Sequence, residues 1–264
     1  YILSEMENSK DTFSNVLKKA QYLGYAEPGN PKLDLNGYDA FAKVRILSSL
    51  SFNKKISNKK CLMEGIENID YKDIDIANQL NFRIKLLGIT ELINNQLFER
   101  VHPCLVKKDS YIGNVNGVMN AVIVNGHPIG ESILQGEGAG PGATSSALMS
   151  DFLSILRGNI KYPFGLPQIK RKIPTIYNVD RYSNSLYLRL EVKDKSGVLS
   201  QITKELAKRK ISVERLIQIP NHKRKTASIV IITHKANEYN AQKCIKSIKS
   251  NINILKNPTL IRLL

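Results

Sequence analysis

Apolar residues near the start of the chain recur at helical spacing. Phe13, Val16, Leu17, Ala20 and Leu23 mark one face of a helix over 11–23, with Asp11 as its N-cap and Gly24 as its stop. The Glu-Pro-Gly-Asn-Pro-Lys stretch at 27–32 is a loop. A second helix follows Gly37, with Ala42, Ile46, Leu47 and Leu50 as its apolar stripe, and a short helix is expected near 72–80. The period then shortens: segments 82–93, 97–105, 119–124 and 129–135 alternate as strands. Asn125-Gly126 between the last two predicts a tight hairpin turn, because both residues tolerate positive φ. Glycines at 136, 138, 140 and 142 then lead into a helix over 144–156.

Residues 159–184 keep no period. Pro163, Pro167 and Pro174 interrupt them and basic residues accumulate, so they read as a linker. The remainder has its own plan: strand 186–192, a turn at 194–197, helix 198–208, strands 211–219 and 228–233, helix 240–250 and strand 259–263. That order is β-α-β-β-α-β, the ferredoxin-like unit.

Composition changes this picture little. The chain has 264 residues, 42% of them hydrophobic, enough for one large or two modest domains. No apolar run is long enough to span a bilayer, and the first residues carry neither a basic segment nor an apolar core of a secretory signal, so a cytoplasmic location and no membrane partner are expected. Cys61, Cys104 and Cys244 lie far apart, as do His102, His127, His222 and His234, and neither set has the spacing of metal ligands. The net charge of +16 invites a nucleic-acid reading. The lysines, however, are spread over the whole length among many Asn and Ile, and the runs at 54–55, 59–60, 170–172 and 222–225 are not interleaved with aromatics. A general compositional bias explains the charge as well as a polyanion does, and no nucleic-acid partner is expected.

Two clusters carry candidate chemistry. Asp39 and Lys43 are four residues apart and share one helix face, and Glu27 stands on the loop before them. Two carboxylates and an amine brought together can hold an amino acid and move a proton; the plain alternative is a solvated surface pair. Gly138-Ala-Gly-Pro-Gly-Ala143 satisfies G-x-G-x-x-A between a strand and a helix. The acidic residue of a dinucleotide fingerprint is missing near 158–162, and the neighbouring strands look antiparallel. The glycines therefore serve either a tight turn or a close approach of backbone to a polar ligand at a helix N-terminus.

Taken together, these motifs resemble homoserine dehydrogenase, in the part that follows its nucleotide-binding domain. The residues that carry the likeness are Leu23-Gly-Tyr-Ala-Glu-Pro, Asp34-Leu-Asn-Gly-Tyr-Asp39-Ala-Phe-Ala-Lys43 and Glu64-Gly-Ile-Glu-Asn-Ile. Further on come Arg83-Ile-Lys-Leu-Leu-Gly, Arg100-Val-His-Pro, Asn114-Val-Asn-Gly-Val-Met-Asn-Ala and Gly136-Glu-Gly-Ala-Gly-Pro-Gly-Ala-Thr. Asp194-Lys-Ser-Gly-Val-Leu in the tail resembles an ACT domain. The implied fold is α+β: a mixed or antiparallel sheet with helices on one face over 1–160, a linker over 161–184, and a βαββαβ ACT domain over 185–264.

The resemblance also implies an activity: reversible reduction of L-aspartate 4-semialdehyde to L-homoserine with NADPH or NADH, in threonine and methionine synthesis. Lys43 matches the proton-transferring lysine and Asp39 a substrate-binding carboxylate that orients it. Glu27 matches the carboxylate that takes the substrate ammonium, with Asp34 assisting. Gly24, Gly136, Gly138, Gly140 and Thr144 match positions approached by the cofactor from this domain. The nucleotide-binding domain, a further lysine and a monovalent-cation site are expected before residue 1. The ACT resemblance implies an amino-acid effector such as threonine at Asp194, Gly197, Val198 and Leu199, and assembly as a homodimer or homotetramer. This chain reads Glu27-Pro-Gly-Asn-Pro31 where the family has Glu-x-Asp-Pro, one residue longer and without that aspartate. The competing reading is a non-catalytic amino-acid sensor, an ACT module on an enzyme-like domain.

Overall fold

The computed structural model describes residues 1–59, 61–159, 162 and 164–264; Lys60, the expected boundary at 160/161 and Pro163 lie outside them. Four helices open the chain: α1 (Ile2–Ser9), α2 (Phe13–Tyr22), α3 (Lys32–Leu35) and α4 (Tyr38–Phe52). The N-cap of α2 is Thr12, not Asp11: Thr12 Oγ1 accepts from the Asn15 N–H, while Asp11 accepts from the Asn15 side chain and the Thr12 N–H. β1 (Leu62–Met63), α5 (Tyr71–Gln79), β2 (Phe82–Ile93) and β3 (Gln96–Lys107) follow. A reciprocal capping box, Asp70 with Asp73, starts α5.

β2 and β3 form a twelve-residue antiparallel ladder from Phe82↔Lys107 to Ile93↔Gln96. Alternate residues face the helices: Ile84 and Leu105 join the core of α1, α2 and α5, while Val101 meets Phe41 and Val44 of α4.

β4 (Met119–Gly126) and β5 (Gly130–Glu137) form a two-stranded sheet of their own. The expected Asn125-Gly126 turn is corrected here. Both residues stay in the ladder, opposite Glu131 and Gly130, and the chain reverses over residues 127–129 with a cis His127–Pro128 bond. α6 (Pro141–Leu156) begins three residues earlier than expected and has no buried residue. Leu148, Met149, Phe152, Leu153, Ile155 and Leu156 are all exposed along it.

The expected linker is laid along the sheet. Its backbone bonds Lys55 to Lys172, and both Thr175 and Tyr177 to Leu97. The rings of Tyr177 and Tyr182 flank Phe98, and the Arg100 guanidinium stacks on Phe98 and Tyr182. β6 (Ser183–Asn184) leads into β7 (Leu186–Lys193), α7 (Val198–Lys208), β8 (Val213–Asn221), β9 (Thr226–Thr233), β10 (Ala236–Asn237), α8 (Glu238–Lys249) and β11 (Thr259–Leu263); β6 pairs with β10.

Strands β11-β7-β9-β8 run in the ferredoxin-like order, and that sheet does not end at β11. β11 pairs in parallel with β3 through Arg262↔Cys104 and Leu263↔Leu105, so both halves of the chain share one seven-stranded sheet. Alternation sorts the residues of its C-terminal strands. Leu188, Leu190, Ile229 and Ile231 pack with Val198, Ile202, Ala241 and Cys244 of α7 and α8. Tyr187, Val230, Ile232 and Ile261 turn the other way, into the core of α1, α2 and α5. Helices thus cover one face of the β2–β3 portion, as expected, and the two C-terminal helices cover the opposite face of the shared sheet. No helix among the described residues is long and apolar enough to cross a membrane.

Candidate active site

Helix α4 starts where only glycine fits. Gly37 has φ +83°, and a Cβ there would stand 3.0 Å from Val101 Cγ1 and 3.4 Å from the Glu64 carbonyl. Asn36 Oδ1 accepts from the Tyr38 N–H at 2.9 Å, tying down the first turn. The buried residues of α4 are Phe41, Val44, Ser48 and Ser49, which corrects the expected stripe; Ala42, Ile46 and Leu50 are exposed. The reason is the strand beneath. Val44 lies over Gly88, where a Cβ would come within 2.3 Å of Val44 Cγ2, and the Ser48 hydroxyl is hydrogen-bonded to the Val44 carbonyl and to the Thr90 hydroxyl.

With Phe41 and Val44 inward, positions 39 and 43 fall on the opposite side of the helix. Lys43 Nζ lies 2.5 Å from Asp39 Oδ2, with the two side chains 68% and 52% exposed. Such a pair adds only about 0.2–1 kcal/mol to folding. Its carboxylate sits in the first helical turn, where the helix dipole favours negative charge, and it holds an ammonium donor one turn on.

Glu27 and Asp34 form a second group. The Glu27 N–H donates to Asp34 Oδ2 at 3.2 Å, and Gln21 Nε2 donates to the carbonyls of Glu27 and Pro28. Ala26 is buried in the core beside them, so the loop is pinned while the Glu27 side chain is exposed. Asp34 thereby spends one oxygen on the backbone of Glu27. Gly24 has φ +76° and open space where a side chain would stand.

The glycine loop is a third group. Gly136 pairs with Asn120, and a Cβ at Gly138 would run into the Asn120 side chain. Gly140 has φ +111° and is the N-cap of α6, and the Thr144 N–H donates to its carbonyl at 3.1 Å. Among the described residues no hydrogen bond or ion pair joins Glu27 or this loop to Asp39 and Lys43.

In the C-terminal unit, Asp194, Gly197, Val198 and Leu199 all line one cavity of about 270 Å³, together with Lys193, Gln218 and Ile229. Gly197, with φ +84°, caps the start of α7, and the Asp194 N–H is held by the Lys225 carbonyl.

Several buried polar groups escaped the sequence reading. Lys85 on β2 donates to the Val115 carbonyl and to Asn116 Oδ1; burial, then the nearby Arg83 charge, bring its pKa down to about 8. Burial, and after it the Arg262 charge, push His102 down to about 3, so its imidazole is neutral. Asp73 on α5 accepts from Tyr187 and Arg189 on β7, and Arg262 on β11 bridges Glu64 and Glu238. Lys85 and Arg189 alternate with the apolar positions of their strands, as solvated residues would, so the sequence held no local signal for their burial.

Comparison with known proteins places the chain in a family. Residues 1–153 match the homoserine dehydrogenase family model, and residues 186–253 match the ACT domain model. Over all of this chain, homoserine dehydrogenase of Neisseria gonorrhoeae is 39% identical and that of Helicobacter pylori 36%. The chain spans 62% of the length of each. A solved homoserine dehydrogenase from Thiobacillus denitrificans superposes with a TM-score of 0.87 at 34% identity, covering all of this chain and 61% of its own. The outward Asp39–Lys43 pair, the pinned Glu27 loop and the βαββαβ unit therefore sit in a known frame: the chain belongs to the homoserine dehydrogenase family and includes an ACT domain.

Proposed function

We propose that this chain is the substrate-binding and regulatory part of an enzyme that reversibly reduces L-aspartate 4-semialdehyde to L-homoserine, in threonine and methionine synthesis. The observation that carries this reading is the Asp39–Lys43 pair, turned away from the core at 2.5 Å and contributing little to folding. Lys43 Nζ gives a proton to the substrate carbonyl oxygen as it becomes a hydroxyl, and takes it back in the reverse direction. Asp39 orients that ammonium. Glu27 receives the substrate ammonium group, and Asp34 fixes Glu27 through its backbone N–H.

The residues present suit a nicotinamide cofactor. At Gly24, Gly136, Gly140 and Gly142 nothing stands within 4 Å of a would-be side chain, so the backbone is open to a flat ligand. Gly138 and Thr144 belong to the same loop. When bound, NADPH or NADH supplies the hydride.

The organisation we infer is a catalytic and dimerising region over 1–160, a connecting segment over 161–184 and an ACT domain over 185–264, in a homodimer or homotetramer. An amino acid, threonine first among candidates, occupies the cavity at Asp194, Gly197, Val198 and Leu199 and regulates turnover.

Lys43→Ala in the complete enzyme tests the reading. It is expected to lower kcat by about 10²–10⁴-fold and to change stability by less than about 1 kcal/mol. Unchanged turnover would remove Lys43 from the chemistry.

A further inference from the structure

Arg262, on the last strand, is fully buried. Its Nη1 and Nη2 donate to the two Glu64 carboxylate oxygens at 2.7 and 2.9 Å, and its Nε and Nη2 donate to those of Glu238 at 3.0 and 2.6 Å. Apolar residues of similar volume often replace such a buried cluster at no loss of stability. Folding energy alone therefore does not account for the cluster.

The backbone around Glu64 is the floor of the turn that launches α4. The Glu64 N–H donates to the Val101 carbonyl at 2.8 Å, and the Ile66 N–H to the Leu35 carbonyl at 2.9 Å. Between them, Gly65 is pressed so closely on the turn that a Cβ would stand 2.0 Å from the Leu35 carbonyl oxygen and 2.5 Å from Asn36 Cα. The Glu64 carbonyl faces Gly37, the N-cap of α4. Asp39 lies two residues beyond that cap, and Lys43 one turn further.

We propose that Arg262 is a positioning residue for this helix: by clamping Glu64 it fixes segment 64–66 under the 35–37 turn, and so sets where Asp39 and Lys43 stand. The ACT domain then supplies one side chain to the scaffold of the other domain's site. Glu238, at the start of α8, holds the same guanidinium, so a shift of α8 reaches α4 through a single cation. That Asp39 and Lys43 act on a substrate rests on the function proposed above; the clamp itself does not.

The test uses Glu64→Gln, Arg262→Lys and Arg262→Gln. In this chain, amide hydrogen exchange over residues 38–43 of Glu64→Gln is expected to speed up at least about tenfold, while residues 202–206 of α7 keep wild-type protection. In the complete enzyme, kcat for homoserine falls about tenfold with the KM for the nicotinamide cofactor unchanged. Arg262→Lys, which keeps the charge and loses the fork, recovers part of that kcat relative to Arg262→Gln. Unchanged exchange at 38–43 in folded Glu64→Gln overturns the proposal, and so does equal acceleration in α4 and α7, which marks a general loss of stability. Should Arg262→Gln not fold, Glu64→Gln decides alone. A wild-type enzyme that does not oxidise homoserine overturns the function proposed above, and the exchange measurement still judges the clamp.

Discussion

Asp73→Ala is expected to cost this chain about as much as any single polar substitution can. The Asp73 carboxylate accepts from Tyr187 Oη at 3.0 Å, from Arg189 Nε and Nη2 at 2.5 and 2.8 Å, and from the Asp70 N–H at 2.9 Å. Its side chain is 0% exposed and that of Arg189 6%. Burial disfavours the Arg189 cation, but the hydrogen bonds and charge of Asp73 outweigh this and hold the guanidinium more firmly protonated than usual. The alanine variant leaves Arg189 with Glu191 at 3.0 Å and Thr259 Oγ1 at 3.2 Å. Removing one partner of a buried pair costs about 3–5 kcal/mol, and the two surviving bonds favour the lower end, about 3 kcal/mol. At roughly 2–4 °C per kcal/mol for a chain of this size, Tm falls by about 6–12 °C. Urea unfolding followed by circular dichroism measures the same loss. Asp39→Ala is the matched control, because its exposed pair is worth under about 1 kcal/mol. The double variant Asp73→Leu with Arg189→Met is expected to regain most of the stability. If Asp73→Ala lies within 1 kcal/mol of wild type, the tie between α5 and β7 is not energetically coupled as described.

His102 gives a pH dependence of definite sign. Burial and the Arg262 charge lower its folded pKa to about 3, so between there and the ordinary value near 6.5 the unfolded chain binds a proton that the folded chain refuses. That stability is complete above pH about 6.5 and is lost as pH falls towards 3, by up to about 4–5 kcal/mol. His102→Phe should flatten this acid limb; an imidazole titrating by NMR near its ordinary value would refute the assignment. Gly65→Ala is expected to destabilise by at least about 1–3 kcal/mol, since the added methyl meets backbone atoms of Leu35 and Asn36 that no side-chain rotation can clear. A wild-type melting temperature for Gly65→Ala would show that the two segments separate freely.

Strong local periodicity was legible in the sequence. The 82–93 strand is observed with those bounds, and the βαββαβ order of the tail follows its alternating and helical stretches. The face of α4 was not legible: its inward positions include Ser48 and Ser49, small polar residues satisfied by Thr90 Oγ1 and the Lys54 carbonyl, while Ile46 and Leu50 point out. The decisive partner is Gly88, which leaves room for Val44 and carries no signal in the helix itself. α1 was missed because only Ile2, Ser4 and Met6 of its eight residues are buried, too short a pattern to stand out. Asp39 with Lys43 was legible because four residues are one helical turn. Asp73 with Arg189, and Glu64 with Arg262, were not, because their partners are 116 and 198 residues away.

The parallel join of β11 to β3 has an evolutionary consequence. A stop codon after the connecting segment would strip β3 of hydrogen-bond partners at Cys104 and Leu105 and uncover the core that Tyr187, Val230 and Ile261 complete. If the C-terminal unit has the regulatory role proposed above, deleting it therefore yields a sticky, misfolded remnant rather than an enzyme freed from regulation. On that proposal, variants that escape regulation should instead carry single substitutions around the 194–199 cavity, where the proposed ligand contact is lost and the shared sheet kept whole.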